Sequence, residues 1–396
     1  MSGDDVLVEV YDGGWVRRGV IGAPSSLEAT WRLNQASTAS ITLPASSPKA
    51  WLLSTPGHRV RIVCRGLTWS GWLDGWTLDG IGQNATLTAR FLSDIAQLER
   101  LLCWPAVGTL PGTLSAEHDR SSGPAETVLK QYVRAAKERL DLPIWVPGTL
   151  KRGATITEQM RMETPADKLL PLMEDAGLRV WMLHLGKGDT HVTLDVDPIR
   201  TYPRPLTAAS GVLGADTTVT VQAPSVTRVV VGGAGEGTAR MFRQQADTSA
   251  EAEWGMVAEK MVDARDAQLD VDDPQMDTQA EVDALMDARG AAALAEGAAQ
   301  VSVSATLSET RWFRIAAGVL EVGDRVPLSI TVPGGDPAHP LTVEVTETIT
   351  EATLSWTPAE GVRFTPKLGQ MVDDPAGPLL VRVARLSREV RRLHTL

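Results

Sequence analysis

Short runs of strand-forming residues, separated by turn residues, are the feature that most constrains how this chain folds. They fill the segment from Val6 to about Cys103. In order they are VLVEVYD, WVRRGVI, ATWRLN, ASITLP, RVRIVC, LTWSGWLDGW and ATLTARF. Short strands at close spacing, with Gly, Pro and Asn in the turns, are typical of a small barrel or sandwich. Residues 1–104 are therefore predicted to form a first β-barrel domain.

The run LTWSGWLDGW indicates how one of these strands is buried. Because successive side chains of a strand point to opposite faces, Trp69 and Gly71 share one face and Trp72 lies on the other. Each face carries a Trp, which indicates that both faces are covered.

Residues 105–213 have a different character, which predicts an α+β domain. A helix opens at Gly123-Pro124, and its apolar residues form a single stripe. A second helix begins at Thr164 and stops at Gly177. The strands LRVWMLHL and HVTLDVD follow, and the turn between them predicts a hairpin.

Strand patterns return in residues 214–370, which are predicted to form a second β-barrel domain. An acidic helical insertion interrupts this domain at about 251–299, and its helix starts with a capping box between Thr278 and Glu281. At 396 residues the chain is too long for one hydrophobic core, so several domains are expected. The predicted fold class is mainly β with α+β insertions: two small β-barrel domains, an intervening α/β unit, the helical insertion and a C-terminal coiled-coil helix.

Residues 371–396 are predicted to form that coiled-coil helix and to oligomerise. The apolar seam consists of Leu379, Val383, Leu386, Val390 and Leu393. Heptad rules leave the number of strands open, with Val at a and Leu at d nominally favouring two. Five arginines lie off this seam, as a solvated face requires, although such a basic run is also typical of contact with nucleic acid or anionic lipid. They are Arg382, Arg385, Arg388, Arg391 and Arg392.

The charge and the N-terminus exclude some classes of protein. A formal net charge of -11 argues against binding nucleic acid over a broad surface, which requires a clustered basic face. The N-terminal segment MSGDDVLVEV is acidic where a signal peptide is basic, and no run of eighteen apolar residues follows. We expect synthesis in the cytoplasm and no membrane anchoring.

Several motifs invite a chemical interpretation that their spacing does not support. The Gly-rich segment from Gly232 to Gly237 follows a strand but fits neither nucleotide-binding pattern, so a turn is predicted. Cys64 and Cys103 are predicted to be buried thiols. No nucleophile-elbow motif occurs.

The candidate metal ligands are also poorly spaced. His184 and His191, with Asp189 between them, at best imitate a metal site. The other histidines are scattered, at positions 58, 118, 339 and 394. Four aspartates precede the insertion helix but lack the Gly and terminal Glu of a calcium loop, so a solvated acidic loop is predicted. They are Asp270, Asp272, Asp273 and Asp277. We predict no catalytic residue, no cofactor and no metal.

The order of domains resembles the tail hub of long-tailed bacteriophages, the tail-associated or baseplate-hub family of minor tail proteins. The resemblance extends over most of residues 1–370 and is closest to versions from phages of actinobacteria. It rests on four segments: ASTASITLPASSPKAWLLSTPGHRVRI, LTWSGWLDGW, PSVTRVVVGGAGEGTARMF and LSETRWFRIAAGVLEVGDRVPLSI. The last two of these segments are the most specific.

This resemblance implies a non-enzymatic structural subunit of the virion, synthesised in the host cytoplasm and located at the distal end of the tail. It implies a homotrimeric ring that adapts and closes the tail tube and surrounds the DNA exit channel, with DNA present only in transit. It also implies three helices in the coiled coil. The implied partners are the distal tail protein or tube ring, the tape measure protein and other tail-tip or fibre proteins.

Two other classes of protein fit the sequence. Twelve Trp residues supply stacking surfaces for a β-rich receptor- or carbohydrate-binding module, although most are expected in barrel cores. A carboxylate-based cell-wall hydrolase is the other alternative, because only the spatial separation of its carboxylates identifies such an enzyme.

Overall fold

The computed structural model describes residues 5–82, 84–105, 116, 118–186, 188–268, 278–332 and 341–369. The predicted coiled coil and the four aspartates at 270–277 lie outside these residues, so both remain predictions. The described chain divides into two compact units. One contains the residues up to Thr217 and from Ser304 onward, and the other is Thr218–Val303.

Seven strands and one short helix form the first β region. They are β1 (Val6–Tyr11), β2 (Arg17–Ile21), β3 (Ser26–Arg32), β4 (Thr38–Pro44), α1 (Ala50–Ser54), β5 (Arg59–Cys64), β6 (Leu67–Asp79) and β7 (Thr86–Ser93). In β4 and β5 every second residue is apolar and buried, as the alternation predicts. A 3-10 turn, Asp94–Arg100, leads out of this region.

The middle region combines short strands with helices. Its elements are β8 (Asp119–Pro124), α2 (Ala125–Leu140), β9 (Ile144–Trp145), β10 (Thr155–Met160), α3 (Pro165–Lys168), α4 (Leu170–Asp175), β11 (Leu178–Leu183), β12 (Val192–Pro198) and β13 (Leu206–Thr207). Helix α2 buries its apolar stripe in a core that also contains residues of β11 and β12. The second predicted helix is divided into α3 and α4, and Pro171 lies in the first turn of α4. Strands β11 and β12 form the predicted antiparallel pair.

The unit Thr218–Val303 contains its own small sheet. The elements of this unit are β14 (Thr218–Gln222), β15 (Arg228–Gly232), β16 (Phe242–Ala246), α5 (Thr248–Trp254), β17 (Glu259–Asp263) and α6 (Gln279–Gly297). The sheet order is β16-β15-β17, and Val282 and Met286 of α6 share a core with Val229 and Val231 of β15. The predicted capping box of α6 is present.

The last β region completes the large sheet of the first unit. Its strands are β18 (Gln300–Thr306), β19 (Arg325–Val332), β20 (Leu341–Thr357) and β21 (Gly361–Leu368). Strand β20 has 17 residues, so its first part pairs with β19 and its second part pairs with both β21 and β3. The resulting order is β21-β20-β3-β4-β7-β6-β5-β1-β2.

The predicted mainly β character of the chain is thus confirmed. The two predicted β-barrels, in contrast, do not appear in the strand pairing of the described chain. Among the described residues no sheet closes into a barrel. Both predicted barrel regions instead contribute strands to one sheet, because β20 is long enough to pair with strands of each region.

Candidate functional site

The two cysteines are core residues. Both thiols are buried. Burial raises the pKa of Cys103 to about 12, and the nearby Arg139 lowers it by less. A thiol attacks substrates as its thiolate, so Cys103 is not poised as a nucleophile.

His184 also belongs to the core. Its backbone N–H donates to Ser70 Oγ at 2.8 Å, and its ring meets the Tyr11 ring edge-on at 4.5 Å. Burial lowers the pKa of His184, while a hydrogen bond with the backbone oxygen of Asp189 partly opposes this. His191 instead lies beside Trp145, with ring centroids 6.2 Å apart.

Neither a cluster of metal ligands nor a helix suited to crossing a membrane occurs among the described residues. They contain no group of three or more His, Cys, Asp or Glu side chains placed to bind a metal ion. Within the same part of the chain, no helix combines the length and the apolar content needed to cross a membrane.

The Gly-rich segment forms a turn after β15, as predicted. The Arg240 guanidinium donates to the carbonyl oxygens of Gly232 at 3.0 Å and Gly233 at 3.1 Å. Gly235 and Gly237 both have positive φ, and only a three-residue 3-10 turn follows. No long helix therefore starts here to hold a phosphate.

Asp94 is a buried carboxylate beside a small cavity. Burial raises its pKa, while Arg59 and Ser70 lower it. Arg59 pairs with one oxygen, and the Ser70 hydroxyl donates to the other at 2.5 Å. The adjoining cavity is about 50 Å³, which is small beside the roughly 300–1,000 Å³ of a typical small-molecule site. Asp94, in the 3-10 turn, therefore links this turn to β5 through Arg59 and to β6 through Ser70. It is not an exposed acid.

An exposed apolar segment lies on the second half of β6. Strand β5 pairs with β6 only from Leu67 to Trp72, whereas β7 pairs with β6 as far as Asp79. On the side opposite β7, no described strand pairs with residues 74–79. This part of β6 thus presents a free backbone edge.

A bulge decides which side chains this segment exposes. Asp74 is the extra residue, and its carboxylate accepts a hydrogen bond from Arg90 at 3.0 Å. Beyond the bulge, Trp76 lies opposite Ala89 and Leu78 lies opposite Leu87. Ala89 and Leu87 are both buried. The bulge therefore places Trp76 and Leu78 on the apolar face of the sheet.

The described residues leave these side chains largely uncovered. Trp76 is 51% exposed, Leu78 is 50% exposed, and Ile81 in the following turn is 100% exposed. We call this surface the β6 edge and define it as residues 74–79 with Ile81. A free strand edge with large apolar side chains is suited to pairing with another chain.

The β6 edge was not predicted from the sequence, in which oligomerisation was assigned to the C-terminal helix. Its five seam residues, Leu379, Val383, Leu386, Val390 and Leu393, lie outside the described part of the chain. The available signal was the continuation of the strand as TLD after Trp76, followed by Ile81 between two glycines. The turn itself does not require an apolar residue at this position.

Residues 7–370 match the family described as Siphovirus ReqiPepy6 Gp37-like protein. The chain belongs to this family. No curated protein matches the sequence significantly.

The fold of this chain is similar to that of two prophage tail proteins. With tail protein gp18 from Listeria monocytogenes EGD-e it shares 10% identity and a TM-score of 0.52, over 97% of this chain and 99% of that chain. With the 43 kDa tail protein of prophage MuSo2 from Shewanella oneidensis it shares 13% identity and a TM-score of 0.51, over 92% and 97%. At such low identity this likeness shows the fold alone. The resemblance to phage tail proteins indicated by the sequence is confirmed.

Proposed function

We propose that the chain is a structural subunit of the siphovirus tail and that it assembles through the β6 edge. The carrying observation is that a free strand edge coincides with three large exposed apolar side chains, Trp76, Leu78 and Ile81. Soluble monomers usually protect such an edge with charges, prolines or a covering element. Family membership and the tail-protein fold support the setting.

The free energy gained by covering the exposed Trp76 side chain favours a protein partner. Covering the exposed half of a Trp side chain, roughly 100 Å², contributes about 2.5 kcal/mol at about 25 cal/mol per Å². Trp is also enriched among the few interface residues that contribute most of the binding energy. A strand added to the free backbone would contribute main-chain hydrogen bonds as well.

The proposal extends to a specific position in the virion. Three copies form a hub at the distal end of the tail, which adapts and closes the tube and surrounds the channel through which DNA leaves. The distal tail protein or tube ring lies on one side, and the tape measure and fibre proteins are further partners. The net charge of -11 supports an acidic channel wall that DNA passes without binding.

The predicted coiled coil has a secondary role in this proposal. Its seam covers barely two heptads, and so short a helix is marginal by itself. The seam from Leu379 to Leu393 then gathers three C-terminal helices, while the β region supplies most of the interface.

Replacing Trp76 and Leu78 with Asp is expected to block assembly. Two buried charges at an interface centre should weaken binding by about 100-fold or more, which corresponds to about 2.8 kcal/mol. The measurement is complementation of a phage whose own copy of the gene carries a nonsense mutation. Plaque titre and electron microscopy of tails are recorded together, and we expect few intact tails.

The matched control is Trp145→Asp with Leu150→Asp, which changes another exposed Trp and Leu pair in the same unit. Both double variants should retain the wild-type circular dichroism spectrum and unfolding temperature. The control should complement normally. Normal tails from the Trp76→Asp/Leu78→Asp chain would show that the β6 edge is not the assembly surface.

A further inference from the structure

A second exposed aromatic surface lies far along the chain from the β6 edge, at Trp312. Its side chain is 66% exposed. The guanidinium groups of Arg311 and Arg204 lie over its ring, at 5.4 Å and 5.7 Å from the ring centroid. Both distances are within the range of a cation–π interaction. We call Arg204, Arg311 and Trp312 the Arg-Trp patch.

The backbone around this patch is held in place. The Tyr202 hydroxyl donates to the Trp312 carbonyl oxygen at 2.6 Å, and the Thr310 N–H donates to the Phe313 carbonyl oxygen at 2.9 Å. Phe313 is buried and meets the Tyr202 ring edge-on at 5.8 Å. Arg204 is flanked by Pro203 and Pro205, which restrict its backbone. The patch is therefore pre-organised for binding, which lowers its entropic cost.

A partly apolar cavity adjoins the patch, and Asp5, Arg65 and Arg314 are also among its lining residues. It has a volume of about 610 Å³, and Arg311 and Trp312 form part of its wall. Its aliphatic lining residues are Leu7, Val63, Ala316 and Val319. A cavity of this size accommodates one or two large apolar side chains.

The patch carries two positive charges, and Asp5 lies in the wall of the adjoining cavity. No carboxylate of the described residues lies within ion-pair distance of Arg204 or Arg311. By contrast, Arg65 in the cavity wall contacts both carboxylate oxygens of Glu309, at 2.7 and 2.8 Å. Many other arginines among the described residues are paired with a carboxylate, so the two guanidinium groups of the patch are suited to carboxylates from outside.

We propose that the Arg-Trp patch binds an acidic polypeptide segment of a partner protein, with an apolar side chain of that segment in the cavity. Carboxylates pair with Arg204 and Arg311, and the partner's apolar side chain contacts Trp312 and Val319. A polypeptide fits better than nucleic acid, because the guanidinium groups already lie over the ring on which a base would stack. This proposal does not depend on the β6 edge.

The test uses the full chain and a short fluorescent peptide of Asp and Glu around a central Leu-Phe pair. Fluorescence anisotropy should show saturable binding that weakens with salt. Arg204→Ala with Arg311→Ala should weaken it by about tenfold, since two ion pairs at an interface contribute about 1.4 kcal/mol or more. Trp312→Ala should weaken it as well, without a change in salt dependence.

The control for the arginine variant is Arg265→Ala with Arg363→Ala, which removes the same charge from two other exposed arginines. It should bind as the wild type does. A peptide with Lys in place of the acids should not bind. Equal binding by the Arg204→Ala/Arg311→Ala chain, absence of saturable binding, or tighter binding of a labelled oligothymidine would each overturn the proposal.

Discussion

Replacing Glu126 with Ala is expected to destabilise the protein by about 3–5 kcal/mol, the typical cost of removing one member of a buried ion pair. Glu126 and Lys130 are both fully buried, with Lys130 Nζ 2.7 Å from Glu126 Oε1. Arg152 donates to the same carboxylate from its backbone N–H at 2.9 Å and from its side chain at 3.0 Å. Without Glu126, Asp195 would be the one carboxylate of the described residues left to pair closely with both cations.

Urea unfolding of the full chain measures this effect. Glu138→Ala is the control, since Glu138 is exposed on the same helix, α2, and its loss should cost at most about 0.5 kcal/mol. Equal stability of the two variants would show that the buried cluster does not hold the middle region together.

The same carboxylate gives a defined pH dependence. Burial alone would raise the pKa of Glu126, but hydrogen bonds from Arg152 and Lys130 outweigh it and lower the pKa to about 2. A group whose pKa is lowered on folding stabilises the protein above its unfolded value of 4.5 and loses that contribution as pH falls. The stability advantage of the wild type over Glu126→Gln should therefore shrink between about pH 5 and pH 2. An advantage that stays constant over this range would contradict the assignment.

Gly71→Ala is expected to destabilise the large sheet by about 3 kcal/mol, because the new methyl group has no room. Gly71 lies between Val60 of β5 and Ser93 of β7. A Cβ at this position would overlap the carbonyl oxygen of Leu92 and lie 2.7 Å from Cη2 of the buried Trp69. The backbone of β7 would have to move away.

Gly75→Ala is the matched control on the same strand. A Cβ there meets nothing within 4 Å, and the φ of Gly75 is not positive. The substitution should be neutral or stabilise by about 0.5 kcal/mol through the unfolded state. Thermal and urea unfolding of both variants decide the matter, and similar stabilities would mean that β5, β6 and β7 are not as closely paired as described.

Local patterns predicted the local elements well. Alternation in ASITLP and RVRIVC identified β4 and β5, and one apolar stripe identified α2. The capping box at Thr278 marked the start of α6. Each of these signals depends on neighbours in sequence, which is why the sequence alone carries it.

Long-range pairing could not be predicted in this way. Leu354 of β20 lies opposite Ala29 of β3, although most of the chain separates them. Nothing in either strand specifies the other, since both are short alternating segments. Two regions that looked like independent barrels therefore share one sheet.

The β6 edge was missed for a different reason. Strict alternation from Leu67 puts Gly75 and Thr77, rather than Trp76, on the face of Trp69 and Leu73. The bulge at Asp74 reverses this beyond Leu73, and its position depends on pairing with β7. A one-residue irregularity thus decides whether Trp76 and Leu78 lie on the apolar face.

Cryo-electron microscopy of the intact virion tests the central proposal most directly. We predict density for this chain in the tail, with Trp76, Leu78 and Ile81 covered by a neighbouring subunit and the free backbone of residues 74–79 paired with a strand of that subunit. A virion that lacks the chain, or a tail in which the β6 edge faces solvent, would contradict the proposal.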